Sequence, residues 1–346
     1  MQLRRTLVPT LTRRSALGLA AGLLSRPARA AEPLRIGLLH TLSPAPLYVA
    51  MERGYFADEG LAATFRFFES AQPIAAAAVS GDIDVGITAL TGGFFSLAGR
   101  GALKVIGGAL HEQKGYEGTA ILASRNAYDA GLTSPDKLGG HSFGITQFGS
   151  SFHYMIGRIA EREGFDLHGM TLRPLQAVGN MVAAVRTGQV DATMAISSMA
   201  RPLEASGEAR IIGWAGDLVP YQITAVFAPV RMITDRPDVL HRFARAYQRG
   251  VADYRDAFLR LDVAGQPVRD ATTAAMIPLL QKYVYAGDPD GHRKISEGVG
   301  YYDEGGRLDV QDVAAQLRWF TTQGLVKTPA DAADLIDTRF LGALPG

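Results

Sequence analysis

From residue 34 onward, short apolar runs alternate with longer stretches whose hydrophobic positions recur at helical spacing. Leu34-Arg-Ile-Gly-Leu-Leu-His40 alternates like a strand, and the segment 46–54 opens on proline and closes on glycine, as helices do. The pattern predicts strands at 62–68, 83–88 and 103–107, separated by helices at 72–80 and 93–98. Strand, helix, strand in steps of this size is the βαβ arrangement of a parallel sheet.

The same grammar restarts near residue 119. Strands are predicted at 119–124, 142–146, 170–174, 190–196 and 209–213, with a short helical turn at 134–140 and helices from Gly149 to Gly164 and from Gly179 to Thr187. A return strand at 222–228 leads into helices at 237–259, 272–285, 292–302 and 310–322. Gly81-Asp-Ile-Asp-Val-Gly and Gly188-Gln-Val-Asp-Ala-Thr each follow an alanine-rich helix, so the two halves echo one another. The expected fold class is α/β with two lobes, residues 31–121 plus 226–346 forming the first and 122–225 the second. Stretches 119–124 and 222–228 are the expected two-strand hinge.

Residues 1–30 break this pattern. They carry six arginines and no acid, then the apolar stretch Ala16 to Leu24 and the small-residue site Ala28-Arg29-Ala30. That order describes an export leader cut after Ala30 and delivering the chain to the periplasm; Arg13-Arg14 fits twin-arginine routing, with ordinary Sec export the alternative. The apolar stretch is short of the roughly 20 residues a membrane span needs. Setting the leader arginines aside leaves 29 basic against 34 acidic side chains, which argues against a nucleic-acid partner. The chain has no cysteine, so disulfides, thiolate nucleophiles and cysteine metal ligands are excluded. The seven histidines show no ligand spacing, and neither a metal nor a cofactor is expected.

Four segments then follow one another in a telling order: Ala45-Pro-Leu-Tyr-Val-Ala-Met-Glu-Arg-Gly-Tyr-Phe-Ala-Asp-Glu-Gly-Leu61, Ser80-Gly-Asp-Ile-Asp-Val-Gly86, Leu138-Gly-Gly-His-Ser-Phe-Gly144 ahead of Gly149-Ser-Ser-Phe-His-Tyr154, and Thr187-Gly-Gln-Val-Asp-Ala192. Together they resemble the nitrate/sulfonate/taurine family of ABC-transporter substrate-binding proteins and its thiamine-pyrimidine-binding relatives. The resemblance spans nearly the whole chain after the leader. It implies a bilobal type II periplasmic-binding-protein fold, a monomer that clamps a small organic anion between its lobes and hands it to an ABC-transporter permease in the inner membrane, without catalysis. Sulfonate, taurine, nitrate, aromatic carboxylate and aminopyrimidine ligands all remain open. The alternative is an enzyme on the same fold, of thiamine-pyrimidine synthesis or of the menaquinone pathway. The resemblance gives the synthase a cysteine-rich motif, which this chain lacks.

In such a cleft a site forms where strands end and helices begin, because unpaired N–H groups there face the ligand. Ser150 and Ser151 open a predicted helix after Gly149 and are the leading candidates, either as ligand contacts or as plain N-caps. Thr91, Gly92 and Gly93 are their counterparts in the first lobe. His40, Thr41 and Ser43 end the first strand, with Tyr48 one turn into the next helix. Asn180, Ser197 and Trp214 follow later elements of the second lobe. Glu112 and Glu117 lie near the first crossing, placed either to recognise an amino group or to stay solvated. Gly140-His141-Ser142-Phe143-Gly144 satisfies G-x-S-x-G, but a nucleophile elbow needs its serine between a strand and a helix, and Ser142 begins a strand.

Overall fold

The computed structural model describes residues 30–326, 328 and 330–345. Except for Ala30, the expected leader lies outside the described residues. The first lobe begins with β1 (Glu32–Leu39), α1 (Ala45–Glu52), α2 (Tyr55–Asp58), β2 (Leu61–Phe68), α3 (Ala71–Ser80), β3 (Val85–Ala89), α4 (Gly92–Ala98) and β4 (Leu103–Gly108), and the chain leaves it through β5 (Leu110–Glu112). The second lobe comprises β6 (Thr119–Ser124), α5 (Arg125–Asp129), β7 (Ser142–Ile145), α6 (Ser151–Glu163), β8 (Thr171–Pro174), α7 (Val178–Arg186), β9 (Ala192–Ile196), α8 (Ser197–Ser206), β10 (Ala209–Trp214) and α9 (Ala215–Leu218). The return runs through β11 (Tyr221–Gln222) into β12 (Thr224–Pro229), α10 (Val230–Asp235), α11 (Pro237–Phe258), α12 (Ala271–Gln281), α13 (Gly291–Glu297), β13 (Tyr301–Tyr302) and α14 (Val310–Thr322).

Each lobe holds one five-stranded sheet, in the orders β2-β1-β3-β12-β4 and β10-β6-β9-β7-β8. In each, one strand delivered by a crossing runs against its neighbours: β12 is antiparallel to β3 and β4, and β6 to β9 and β10. A third, antiparallel ladder β11-β5-β13 joins the lobes. The boundaries expected at 121/122 and 225/226 fall inside β6 and β12, whereas the chain changes sheets around β5 and β11. Of the stretches expected as hinge strands, 119–124 is β6 itself and 222–228 runs from the end of β11 into β12.

Strand side chains such as Leu34, Ile36, Leu38, Val85, Val105, Ile121, Phe143 and Met194 are fully buried and form the sheet cores. The long helix α11 buries Leu240, Phe243, Tyr247, Val251, Tyr254 and Phe258, a stripe at helical spacing. It meets α1 at Gly250, where a β-carbon would overlap the Pro46 carbonyl. The helix expected over 292–302 ends at Glu297, and Tyr301–Tyr302 pairs instead with β5. Tertiary packing holds the segment after the helix: Gly298 lies so close to Ser198 of α8 that no side chain fits, and Gly300 presses on Leu110.

Candidate ligand-binding site

The ends of both sheets enclose a cavity of about 50 Å³ between the lobes. At about 10–15 Å³ for each water-sized occupant, it holds roughly three to five such groups. Nine hydroxyl side chains line it (Thr41, Ser43, Ser70, Thr91, Thr119, Thr146, Ser150, Ser151 and Thr224), together with the carboxamides of Gln72 and Gln147 and an apolar set that includes Leu39, Phe152, Val178, Ile196 and Ile223. No Lys, Arg, His, Asp or Glu is among the lining residues. A wider open groove of about 790 Å³ lies elsewhere, against Tyr116 and Phe258; of its three arginines, Arg201 pairs with Glu204, Arg293 with Glu297, and Arg269 Nη1 donates to the Phe258 carbonyl at 3.0 Å.

Helix starts converge on the cavity. Ser70 precedes α3, Thr91 caps α4, Ser150 caps α6, Val178 begins α7 and Ile196 precedes α8. The first-turn amides of a helix have no intrahelical acceptor, and they carry the positive end of its dipole. The Ala71 and Gln72 amides of α3 and the Ser151 and Phe152 amides of α6 belong to this set.

The hydroxyls have a defined polarity. Thr91 Oγ1 accepts the Phe94 amide at 3.0 Å, Ser150 Oγ the His153 amide at 3.3 Å, and Thr224 Oγ1 the Leu110 amide at 2.8 Å. A hydroxyl whose oxygen accepts from the backbone keeps its one proton for another partner. These three therefore offer donors at the cavity. Thr41 and Ser43 share a hydrogen between oxygens 2.8 Å apart. Thr119 is reversed: its amide donates to Glu112 Oε2 at 3.0 Å, and its hydroxyl donates to Glu112 Oε1.

Five of the twelve expected residues thus line the cavity: Thr41, Ser43, Thr91, Ser150 and Ser151. The others stand behind it or away from it. The Tyr48 hydroxyl donates to the Thr41 carbonyl at 3.1 Å while its ring stacks on Tyr283, so it braces the turn after β1. His40 Nε2 donates to the Tyr283 carbonyl at 2.6 Å, and its ring packs on Phe67. Gly92 donates its amide to the Gly149 carbonyl at 2.9 Å, and Gly93 packs against Gln72. Asn180 donates to the Leu175 carbonyl at 2.8 Å, and the Ser197 amide to the Gly118 carbonyl at 2.9 Å. Trp214 lies under the Arg201 guanidinium, 5.3 Å from its ring centroid.

Ser70, Gln72, Thr119, Thr146, Gln147 and Thr224 were not among the sequence candidates. Ser70 and Thr146 sit where predicted strands end, the position that should have marked them. The G-x-S-x-G serine is accounted for: Ser142 Oγ donates to Asp191 Oδ2 at 2.9 Å, and His141 approaches that same oxygen at 3.4 Å, so the serine serves the carboxylate and not the histidine. Among the described residues no cluster of three or more His, Cys, Asp or Glu is placed to hold a metal.

Two buried groups flank the site. Burial pushes the His153 imidazole down to about 4, with His168 adding a smaller effect, and its Nδ1 accepts the Gly149 amide at 3.1 Å. Glu112 has no exposed surface; burial raises its carboxyl pKa, opposed by the two hydrogen bonds from Thr119.

The two sheets, their crossed-over reversed strands and a cleft between the carboxyl ends define a bilobal periplasmic-binding-protein fold. Residues 42–257 match the model of the family described as NMT1/THI5 like, and the chain belongs to that family. Among solved structures it is similar to the alkanesulfonate-binding protein SsuA from Xanthomonas axonopodis pv. citri bound to MOPS, at 20% identity over 89% of this chain and 100% of that one, with a TM-score of 0.69. It is also similar to the periplasmic aliphatic sulphonate binding protein SsuA from Escherichia coli, at 18% identity over 88% and 97% of the two chains and a TM-score of 0.67. The desulfurization enzyme DSZB shares the fold too, at 15% identity over 90% and 97% and a TM-score of 0.62. No curated protein matches the chain by sequence. No helix among the described residues is long and apolar enough to cross a membrane.

Proposed function

We propose that the chain is the extracytoplasmic solute-binding component of an ABC importer, and that it closes on a small organic oxyanion in the cavity between its lobes. The observation that carries this reading is the polarity of the cavity wall: Thr91, Ser150 and Thr224 each accept a backbone amide and so turn their protons to the ligand, beside the first-turn amides of α3 and α6. Many convergent neutral donors suit a weakly basic oxyanion such as a sulfonate or carboxylate. The apolar part of the wall, including Phe152 and Ile223, suits a short carbon chain. The sulfonate-binding proteins that share the fold support this reading, as does the leader read in residues 1–30. Periplasmic delivery after cleavage at Ala30, a monomeric state and transfer to an inner-membrane permease complete it.

The enzyme alternative draws on the likeness to DSZB, of which a cysteine-to-serine mutant was solved with biphenyl-2-sulfinic acid. A chain with no cysteine has no counterpart to that residue, which favours binding over catalysis. Thermal unfolding of the leaderless protein with short alkanesulfonates, carboxylates, nitrate and aminopyrimidines tests the proposal. A true ligand at 100 times its dissociation constant stabilises by about 2.7 kcal/mol. Stabilisation by none of the oxyanions would overturn it.

A further inference from the structure

We propose that Thr119, oriented by Glu112, is a hydrogen-bond acceptor at the cavity, so that the solute carries a donor group (a hydroxyl, an amide N–H or an ammonium) in addition to its oxyanion. This inference rests on the solute-binding reading above and narrows its ligand class. A threonine has one backbone and one hydroxyl hydrogen. Both of those on Thr119 go to the same carboxylate, the amide to Oε2 at 3.0 Å and the hydroxyl to Oε1. Lone pairs are all its oxygen retains for the cavity it lines.

The arrangement is built into the fold. Glu112 is completely buried at the end of β5, and Thr119 begins β6, so the carboxylate and the threonine face each other across the crossing that links the lobes. A β-carbon at Gly118 would overlap Glu112 Oε2, so the carboxylate needs a residue without a side chain there. The neighbouring imidazole of His111 is turned to Asp303, which it meets at 2.8 Å. Thr91, Ser150 and Thr224 present the opposite polarity, so the cavity wall distinguishes two kinds of ligand group.

The test compares probes of matched shape in which an ammonium, which donates and has no lone pair to accept with, replaces a methyl: 2-aminoethanesulfonate against propane-1-sulfonate, and 3-aminopropanoate against butanoate, each titrated calorimetrically into the leaderless protein. The ammonium member is expected to bind at least tenfold more tightly. Thr119→Val removes the acceptor with little change of shape. Glu112→Gln can accept only one of the two Thr119 hydrogens; with the backbone amide fixed, the carboxamide N–H turns the hydroxyl round to face the cavity as a donor. Both variants should bring the ratio to near one, and Ser150→Ala should weaken both members of a pair alike. Equal binding of the two members by the unaltered protein overturns this inference and leaves the solute-binding reading intact. A preference that survives both substitutions overturns the assignment to Thr119. Failure of all four probes to bind overturns this inference, while the solute-binding reading falls only if the wider oxyanion panel also fails to stabilise the protein.

Discussion

The Gly92 amide donates to the Gly149 carbonyl at 2.9 Å, a backbone hydrogen bond that ties the first residue of α4 in one lobe to the turn before α6 in the other. Gly149 stands at φ +79, a conformation that L side chains rarely adopt, and its own amide goes to His153. Side chains add to the tie, since the Gln147 carboxamide donates to Gln72 across the same gap. A short row of polar contacts thus joins the lobes at the cavity, the set that the proposed closure on ligand would hold.

Gly92→Pro tests that tie with little harm to α4, because proline is accepted at a first helical position and Thr91 before it is already extended. A β-carbon there comes within 3.2 Å of the Leu325 carbonyl, a tight but adjustable contact. Loss of one hydrogen bond worth about 1 kcal/mol shifts the closed state by about fivefold. Ligand affinity should fall by about that factor, and small-angle scattering should show a larger particle at equal ligand. Unchanged affinity and size would remove the bond from the closing mechanism.

Ser150→Ala removes both a cap of α6 and a donor at the cavity. Folding stability should drop by about 1 kcal/mol from the cap alone, and ligand affinity by about 1 to 3 kcal/mol. Chemical denaturation and calorimetry read the two separately. A stability loss with full affinity would reduce Ser150 to a helix cap.

His153 sets a pH dependence with a definite sign. Its pKa is about 4 in the folded protein, below the ordinary value of 6.5, so the unfolded chain binds the extra proton between those values. The stability it contributes is present above pH 6.5 and is lost as the pH falls toward 4, by about 3 kcal/mol in all. Asp312 works in the opposite sense: burial raises its carboxyl to about 6, so its ionisation weakens the fold as pH rises from about 4 to 6. Urea unfolding of the unaltered protein and of His153→Gln at pH 7, 5.5 and 4.5 isolates the histidine. The gap between the two should change by most of that amount; a gap that is constant with pH contradicts the assignment.

The ring of Trp319 of α14 abuts Gly157 of α6, where any β-carbon would overlap it, and its Nε1 donates to Glu161 at 3.1 Å. The last helix of the first lobe is thereby fastened to the second. Gly157→Ala overpacks this contact and should cost about 1 to 3 kcal/mol. Trp214 is the other tryptophan of the chain, so in a Trp214→Phe background the emission reports Trp319 alone. Gly157→Ala should shift that emission to the red and admit iodide quenching; an unmoved spectrum would mean that the helices reseat without parting.

Periodicity made most of the fold legible. The strands at 119–124, 142–146 and 209–213 and the helices at 72–80, 237–259 and 310–322 all lie within a residue or two of the structure. The short crossing strands β5, β11 and β13 were hidden, because two or three residues are too few to show alternation. Of the cavity lining, Ser150, Ser151 and Thr91 were legible because they stand after glycine or before a helical run. Thr119 and Thr224 were not, since they open strands, and a hydroxyl at a strand start reads the same whether it faces a cleft or a solvated turn. His40 and Trp214 stand outside the cavity lining for a reason the sequence does not carry. Their side chains have satisfying partners in Tyr283 and Arg201, and such partners come from segments distant in sequence.

The placement of β12 between β3 and β4 also dictates an order of events as the chain is made. The slot between those two strands stays empty until residue 229 has emerged, by which time the whole second lobe, with its strands close in sequence, is available to fold. Until then the edge of β3 is unpaired, and β4, which joins the sheet only through β12, has no strand partner; the two carry the apolar side chains Val85, Ile87, Val105 and Ile106. Such edges invite mispairing and aggregation. The lobe that starts first is therefore the one that finishes last, and its slow, non-local closure should govern how quickly newly made protein becomes able to bind.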